Sequence, residues 1–434
     1  MKIVLNADQK AASDFIIDRL INKNELGVTV VGEGGTGKTT SIMHAVDRLK
    51  EAGMTVLLTA PTNKAANKLA EASYEYGSSN LSSTLAKALG LALLPDKENK
   101  RAHKLGEGLI KPNMVIVADE ASMISSEALY NHLLPTLHAN NAKVIFMGDK
   151  FQLPPVKEFR SPALEEFDKI QLSKVERQKE GSPILELCRS MRESLEFNTP
   201  FICESVPVTS VKAAMFVDSI LESYTDHSDC KHTRALAWTN ARVADLTTYI
   251  RKKLFGRDVD TFVVGERVAT GSPVIEESIV VIPTDIECII SSVTLETAEY
   301  KYGGNESEFY TCYSIVIIPE GNYAPCFVTV LHDTELERAN AKLNAIAEKA
   351  KRLPRNEAYK LWKEYHHFKD FFATLKHCYA MTVHRSQGST YEKVFVDISD
   401  IQRCPHTKMR KQLAYVACSR PKTELVINKT KFEL

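Results

Sequence analysis

Nowhere in this 434-residue chain do two cysteines stand three positions apart; its nine cysteines are scattered singly. That excludes a zinc ribbon, offers no disulfide framework, and suits a reducing compartment. An excess of one charge is missing too, because 55 Lys and Arg meet 55 Asp and Glu. A nucleic-acid partner therefore has to be held by a local basic groove, not by a global field. No apolar run approaches the roughly 20 residues of a membrane helix. Met1 to Asp14 lacks the apolar core of a signal peptide. The expectation is a cytoplasmic protein with no membrane partner. Aromatic residues are absent from one long stretch, Gly77 to Leu129, and no internal repeat or low-complexity tract stands out. What is present is ordinary globular composition, 44% hydrophobic and 25% charged. A chain this long exceeds a single core, so two or more domains are expected.

The stretch that organises the chain is Gly32-Glu33-Gly34-Gly35-Thr36-Gly37-Lys38-Thr39, which fits G-x-x-x-x-G-K-[ST] at every fixed position. Before it, Gly27-Val28-Thr29-Val30-Val31 reads as a buried strand. After it, Thr40 to Lys50 reads as a helix stopped by Gly53. Strand, glycine loop and helix N-terminus together make a cradle of N–H groups for phosphates. Gly34, Gly35, Thr36, Gly37, Lys38, Thr39 and Thr40 are thus assigned to nucleotide binding. Lys38 would reach the β/γ-phosphates and Thr39 would hold Mg²⁺. Gln9, just upstream, has two readings. It could close a capping box with Asn6, or its amide could read an adenine edge, which is the favoured reading.

Further strands end in polar groups at the same sheet edge, where open α/β sheets bind ligands. Val56 to Thr59 leads to Ala60-Pro61-Thr62-Asn63-Lys64, small polar groups suited to phosphodiester contacts or to a plain helix cap. Met114 to Ala118 leads to Asp119-Glu120-Ala121-Ser122. There Asp119 would complete the Mg²⁺ shell and Glu120 would polarise the attacking water. Val144 to Met147 leads to Gly148-Asp149-Lys150-Phe151-Gln152-Leu153-Pro154-Pro155, presenting Gln152 as a sensor of the γ-phosphate. Asp168 to Leu172 is a fifth strand, and Arg177 just beyond it is a candidate arginine finger. Between these strands, residues 91–112 read as a small inserted excursion, with a hairpin as its expected form.

This ordered set resembles the motifs of superfamily-one helicases, and the Gln-Leu-Pro-Pro form is similar to their RecD-like and Dda-type branch, whose best-known members are phage-encoded. The resemblance implies a second RecA-like domain, and the matching stretches follow. Arg234-Ala235-Leu236-Ala237-Trp238-Thr239-Asn240 is a strand entering a helix. Ala380 to Thr390, containing Thr382 and His384, resembles the family's fifth motif. Gln412 to Arg420 resembles the sixth, with Arg420 at its arginine finger; Cys418 and Pro421 depart from common forms nearby.

The fold class implied is α/β, with two RecA-like domains at residues 1–90 plus 113–178 and 179–266 plus 378–434. The excursion 91–112 would be a pin-like insertion in the first. In the second, residues 267–377 carry β-branched runs and then a helical stretch broken at Pro354, in keeping with the family's SH3-like accessory barrel. Tyr359, Trp362, Tyr365, His366 and Lys369 fall near one helix face, read mainly as packing and secondarily as a stacking surface.

The function implied is an ATP- and Mg²⁺-dependent motor, a monomer moving 5′→3′ on single-stranded DNA and opening strand junctions. Thr62, Asn63, Lys64, Thr84, Thr382 and His384 would touch the strand. Host cytoplasm is the location if the chain is phage-encoded, with replication or repair as its setting and a single-strand-binding or replication protein as companion. The rivals are a translocase that strips bound proteins and a nucleotide-dependent binding switch.

Overall fold

Six strands in the first part of the chain pair as a parallel sheet. Their order is Leu81–Thr84, Thr55–Ala60, Met114–Ala118, Lys143–Gly148, Gly27–Gly32, Lys169–Leu172. Every neighbouring pair is parallel. The computed structural model describes residues 5–96, 99–104, 107–155, 158–174, 181–256, 260–276, 279–303, 306–321 and 323–434. Three central strands are buried along their whole length, as continuous apolar runs covered on both faces must be. Val28, Val30, Ile42, Val46, Val115 and Ile145 share one core with Ile16 and Leu20. Gly27 is fixed by space: a Cβ there would stand 2.6 Å from the Phe167 ring, which stacks on Phe146.

A second sheet is also parallel, ordered Thr209–Ser210, Pro421–Ile427, Tyr391–Val396, Thr233–Ala237, Ala380–Thr382. After Thr233–Ala237 the chain turns into the helix Asn240–Phe255. Asp400 shapes that turn by accepting the backbone N–H groups of Trp238 and Thr239, at 2.9 and 2.8 Å. The core of this half holds Val394, Leu425 and Ile427 with the helices Pro183–Glu196 and Thr407–Cys418. It also takes in Phe151 and Leu153 from the loop that leaves the first sheet. Residues 1–90, 107–254 and 379–434 therefore make one compact unit containing both parallel sheets.

The second unit comprises residues 91–106 and 255–378. Its sheet is antiparallel and ordered Cys326–Leu331, Glu308–Pro319, Glu287–Tyr300, Arg267–Thr270, Leu375–His377. One further bond, from Ala373 N–H to the Thr329 carbonyl (2.8 Å), links the lead-in to the last strand with the first strand in that order. The sheet thus curls around Val268, Cys288, Ile290, Ile315, Ile317 and Val328. Two helices follow, Leu336–Lys351 and Arg355–Phe371, with Pro354 at the N-cap of the second.

The hairpin expected within 91–112 forms at Leu91–Asp96 and Asn99–Lys104. It was assigned to the first motor domain, yet it groups with the second unit, because its first strand lies against the helix Arg355–Phe371. The expected face of Tyr359, Trp362, Tyr365, His366 and Lys369 divides. Trp362 and His366 are buried, and Trp362 packs with Ala347, Ala350 and Ala358 across the helix pair. Tyr359 lies outside that seam, 46% exposed, with Lys363 over its ring. All nine cysteines are free, eight of them buried and Cys326 partly so. Among the described residues no helix is long and apolar enough to cross a membrane.

Candidate active site

The glycine loop needs backbone angles that side chains resist, and the sequence supplies glycine there. Gly35 and Gly37 have φ of 90° and 78°, and Gly37 caps the helix Lys38–Glu51. The loop is laced by its own groups: Thr36 Oγ1 donates to the Glu33 carbonyl at 3.0 Å. Lys38 Nζ donates to the carbonyls of Gly32 and Glu33 at 2.9 and 2.8 Å. Around the loop lies a cavity of about 430 Å³. Gln9, Gly34, Gly35, Gly37, Lys38, Thr39, Thr40, Asp119, Glu120, Gln152 and Arg420 all line it. Residues from both parallel sheets thus meet in one cleft.

Gln9 shows both of its proposed features at once. Its Oε1 accepts the Asn6 N–H and its own N–H donates to Asn6 Oδ1, a complete capping box. Its Nε2 lies against Gly37, where an added Cβ would meet it at 2.2 Å. The cap engages one lone pair of Oε1, so the capping role does not displace adenine reading by the amide. Nε2 is the side of the amide that faces the phosphate loop at Gly37.

Asp119 Oδ1 accepts the Glu120 N–H at 2.7 Å. Burial, with the Glu120 carboxylate beside it, pushes the Asp119 pKa up to about 7. Glu120 sits in the left-handed backbone region, φ 48° and ψ 42°, a conformation that costs a non-glycine residue free energy and recurs at functional sites. Opposite it is Gly388 (φ 71°), where a Cβ would stand 3.8 Å from Glu120 Oε1 and 3.5 Å from Ala65. Gln152 is buried, and its Oε1 has no hydrogen-bond partner among the described residues. A buried amide oxygen left unmatched beside a phosphate loop is a polar group awaiting a ligand or water.

Arg420 is 4% exposed. Its Nε donates to the Val416 carbonyl at 2.9 Å and its Nη2 to Ser419 Oγ at 2.9 Å. These bonds anchor the guanidinium at the C-terminus of Thr407–Cys418, facing the cleft. Arg177, the other arginine expected here, lies outside the described residues. Two contributors escaped the sequence reading. Lys68 lines the cleft and donates to the Gly388 carbonyl at 3.2 Å. Thr390, also in the lining, accepts from the same ammonium at 3.4 Å.

The residues expected at the strand sit at strand ends, in two groups. Thr62 follows, and Thr84 ends, one of two neighbouring strands whose last pair is Ala60 with Thr84. Both hydroxyls are helix caps, accepting the N–H groups of Ala65 and Lys87 at 3.2 and 3.3 Å. Asn63 and Lys64 open the helix that Thr62 caps, and Lys64 Nζ stands over the Tyr391 ring at 5.8 Å. In the second sheet, Thr382 pairs with Ala237 at the carboxyl end. His384 follows, itself exposed on a turn whose neighbours Val383 and Ser386 are buried, and the surrounding protein desolvates the ring enough to lower its pKa. The cap role is thus realised at Thr62 and Thr84, and of the six residues His384 is the exposed one, the other five being partly buried.

Among the described residues no cluster of three or more His, Cys, Asp or Glu could hold a metal. The donor set Asp119 and Thr39 fits Mg²⁺, which takes one or two protein ligands and completes its shell with phosphate and water.

The profile of the AAA domain family matches residues 4–196, and that of the UvrD-like helicase C-terminal domain matches residues 377–427. The chain is 25% identical to the ATP-dependent DNA helicase dda of Enterobacteria phage T4, over 96% of this chain and 97% of that one. It is 31% identical to the ATP-dependent RecD2 DNA helicase of Deinococcus radiodurans, over 38% of this chain and 21% of that one. The fold is similar to that of Bacteroides Pif1 bound to single-stranded DNA. That likeness has a TM-score of 0.53 at 17% identity and covers 99% of this chain and 93% of that one. With the motif order and the shared cleft already in place, these likenesses agree: over nearly its whole length the chain is similar to superfamily-one DNA helicases of the Dda and RecD type.

Proposed function

We propose that this protein is an ATP-driven DNA helicase that translocates 5′→3′ on single-stranded DNA and opens duplexes at a single-strand junction. The observation that carries this reading is the single cleft that gathers Lys38, Asp119, Glu120 and Gln152 from one parallel sheet and Arg420 from the other. A nucleotide-dependent switch needs the phosphate loop; it does not need an arginine delivered by a second sheet.

In this reading the glycine loop and Lys38 hold the triphosphate, and Glu120 orients and polarises the attacking water. Mg²⁺ held by Asp119 and Thr39 would supply charge neutralisation at the phosphates. Gln152 senses the γ-phosphate, while Arg420, with Arg177 as its partner finger, stabilises charge that develops in transfer. Closure of the cleft draws the two sheets together and hydrolysis lets them part. Alternating grip at Asn63 and Lys64 on one half and at Thr382 and His384 on the other converts that cycle into stepping. The curled sheet and helices of residues 267–377 serve as an SH3-like accessory domain, the hairpin as the strand-separating pin, and the working form is a monomer.

The test is ATPase and unwinding on duplexes carrying 5′ or 3′ tails of DNA or RNA. DNA-stimulated turnover with opening from the 5′ tail is expected. Turnover and tracking with no duplex opening would make the protein a strand-clearing translocase. Nucleotide binding without DNA-stimulated turnover would make it a switch.

A further inference from the structure

One buried cation belongs to none of the groups above and touches the segments that carry three of them. Arg192 lies on the helix Pro183–Glu196 and is 9% exposed. Its Nε is 3.2 Å from Glu33 Oε1 on the phosphate loop. Its Nη1 is 3.6 Å from Asp149 Oδ2 and donates to the Tyr415 hydroxyl at 3.3 Å. Tyr415 in turn donates to Asp149 Oδ2 at 2.6 Å. The guanidinium also stacks 4.8 Å from the centre of the Phe151 ring.

Each partner stands next to a working part of the cleft. Glu33 is the second residue of the glycine loop. Asp149 accepts the Gln152 N–H at 3.1 Å through its own carbonyl. Tyr415 lies on the helix Thr407–Cys418, five residues before Arg420, and Gln412 of that helix donates to the Gln152 carbonyl at 2.9 Å. Glu33 places a carboxylate on a loop built to receive a triphosphate, and the two anions repel unless a cation stands between or behind them. Arg192 is in ion-pair contact with it, and Arg189 and Lys38 add their charge from nearby. Burial favours protonation of Glu33, and the charge of Arg192 opposes that.

We propose that Arg192 is a positioning residue for hydrolysis. It neutralises Glu33 behind the phosphate loop and locks that loop in register with the Gln152 loop and the Arg420 helix. This rests on the motor reading above. Its particular claim is that one guanidinium links the loop that binds nucleotide to the helix that delivers the finger. Lysine cannot replace it, because a point charge lacks the fork that serves Glu33 and Asp149 together and lacks the flat face for Phe151.

The experiment uses the full chain with Arg192→Lys and Arg192→Met, each alone and combined with Glu33→Gln. Three quantities are read: melting temperature, affinity for a fluorescent ATP analogue, and single-turnover hydrolysis with saturating oligo-dT. Arg192→Lys is expected to melt near the wild-type temperature while its hydrolysis step slows by about a hundredfold, the scale of a misplacement of about 1 Å. Arg192→Met is expected to lose nucleotide affinity and to regain part of it when Glu33→Gln removes the charge left uncompensated. Equal hydrolysis in wild type and Arg192→Lys overturns the proposal, as does a loss in Arg192→Met that tracks melting temperature and is untouched by Glu33→Gln. Wild-type protein with no ATPase overturns the motor reading and this proposal with it, whereas active wild type beside equally active Arg192→Lys overturns this proposal alone.

Discussion

In the first unit, Met114–Ala118 and Lys143–Gly148 are buried from end to end. In the second, Glu287–Tyr300 runs from buried Cys288 through exposed Ile289 to buried Ile290, and most of its middle faces out. A parallel strand covered on both faces has only its ends free for polar chemistry. An antiparallel strand with one wet face can place polar groups anywhere and is not forced to concentrate them. The contrast is visible in the residues: the first unit places Asp119, Glu120 and Gln152 at strand ends in one cleft. The second keeps Tyr300, Tyr310, Phe368 and Phe372 for packing. Chemistry should therefore be separable from the accessory fold by mutation.

The strongest way to break that separation is Arg420→Ala, expected to cut single-turnover hydrolysis by about a thousandfold or more with DNA affinity retained. Full DNA-stimulated ATPase in this variant would demote Arg420 to a structural anchor of its helix. Next is Glu120→Gln, which should bind ATP nearly normally and lose about a hundredfold or more in the hydrolysis step. A rate within a few-fold of wild type would remove Glu120 from the water-polarising role.

On the other unit the expected pattern reverses. Replacing residues 94–104 by a tight turn should abolish duplex opening while ATPase and single-strand translocation persist; measuring all three on one variant decides it. Unwinding that survives would move strand separation to another element. With no aromatic residue from Gly77 to Leu129, the hairpin lacks a stacking contribution of about 1–3 kcal/mol per base. It should therefore exclude the second strand passively, and unwinding should slow steeply as the GC content of the duplex rises. Trp362→Ala should destabilise the helix pair by about 3–5 kcal/mol, read in denaturant unfolding, while DNA-free ATPase stays at its wild-type rate. The smallest effect is expected at Thr62→Ala: about 1 kcal/mol of stability from the lost helix cap, with DNA affinity changing less than in Lys64→Ala. A larger affinity loss at Thr62 than at Lys64 would restore its hydroxyl as a strand contact.

How far the sequence carries depends on how local the chemistry is. The glycine loop, the Asp119-Glu120 pair and the Gln152 loop are short strings whose spacing is set by one turn of backbone, so they can be read without a fold. The hairpin was legible for a similar reason, since Pro95 and Asp96 interrupt any helical period. Its packing partner was not, because the helix Arg355–Phe371 is more than 250 residues away in the chain. Arg192 shows the limit most clearly. Its helix reads as an ordinary amphipathic one, and nothing near it announces a site. Its meaning appears only when the chain returns Tyr415 to it after 223 residues. Lys68 is hidden in the same way, bonded to Gly388 across 320 residues. Gln9 was legible in kind, yet which of its two amide atoms was already committed required the coordinates.

The burial of the thiols has a practical consequence for spectroscopy. Eight of the nine cysteines are buried. The partly buried one, Cys326, has its thiol pushed by burial up to about 11, and Cys188 and Cys288 are pushed up to about 12. Maleimide chemistry proceeds through the thiolate, so at neutral pH the native chain is nearly silent to such dyes. Cysteines introduced at Tyr74 in the first half and Met215 in the second, 79% and 58% exposed, would then label selectively without removing the native set. A dye pair at those positions would report opening and closing of the cleft in single molecules during turnover.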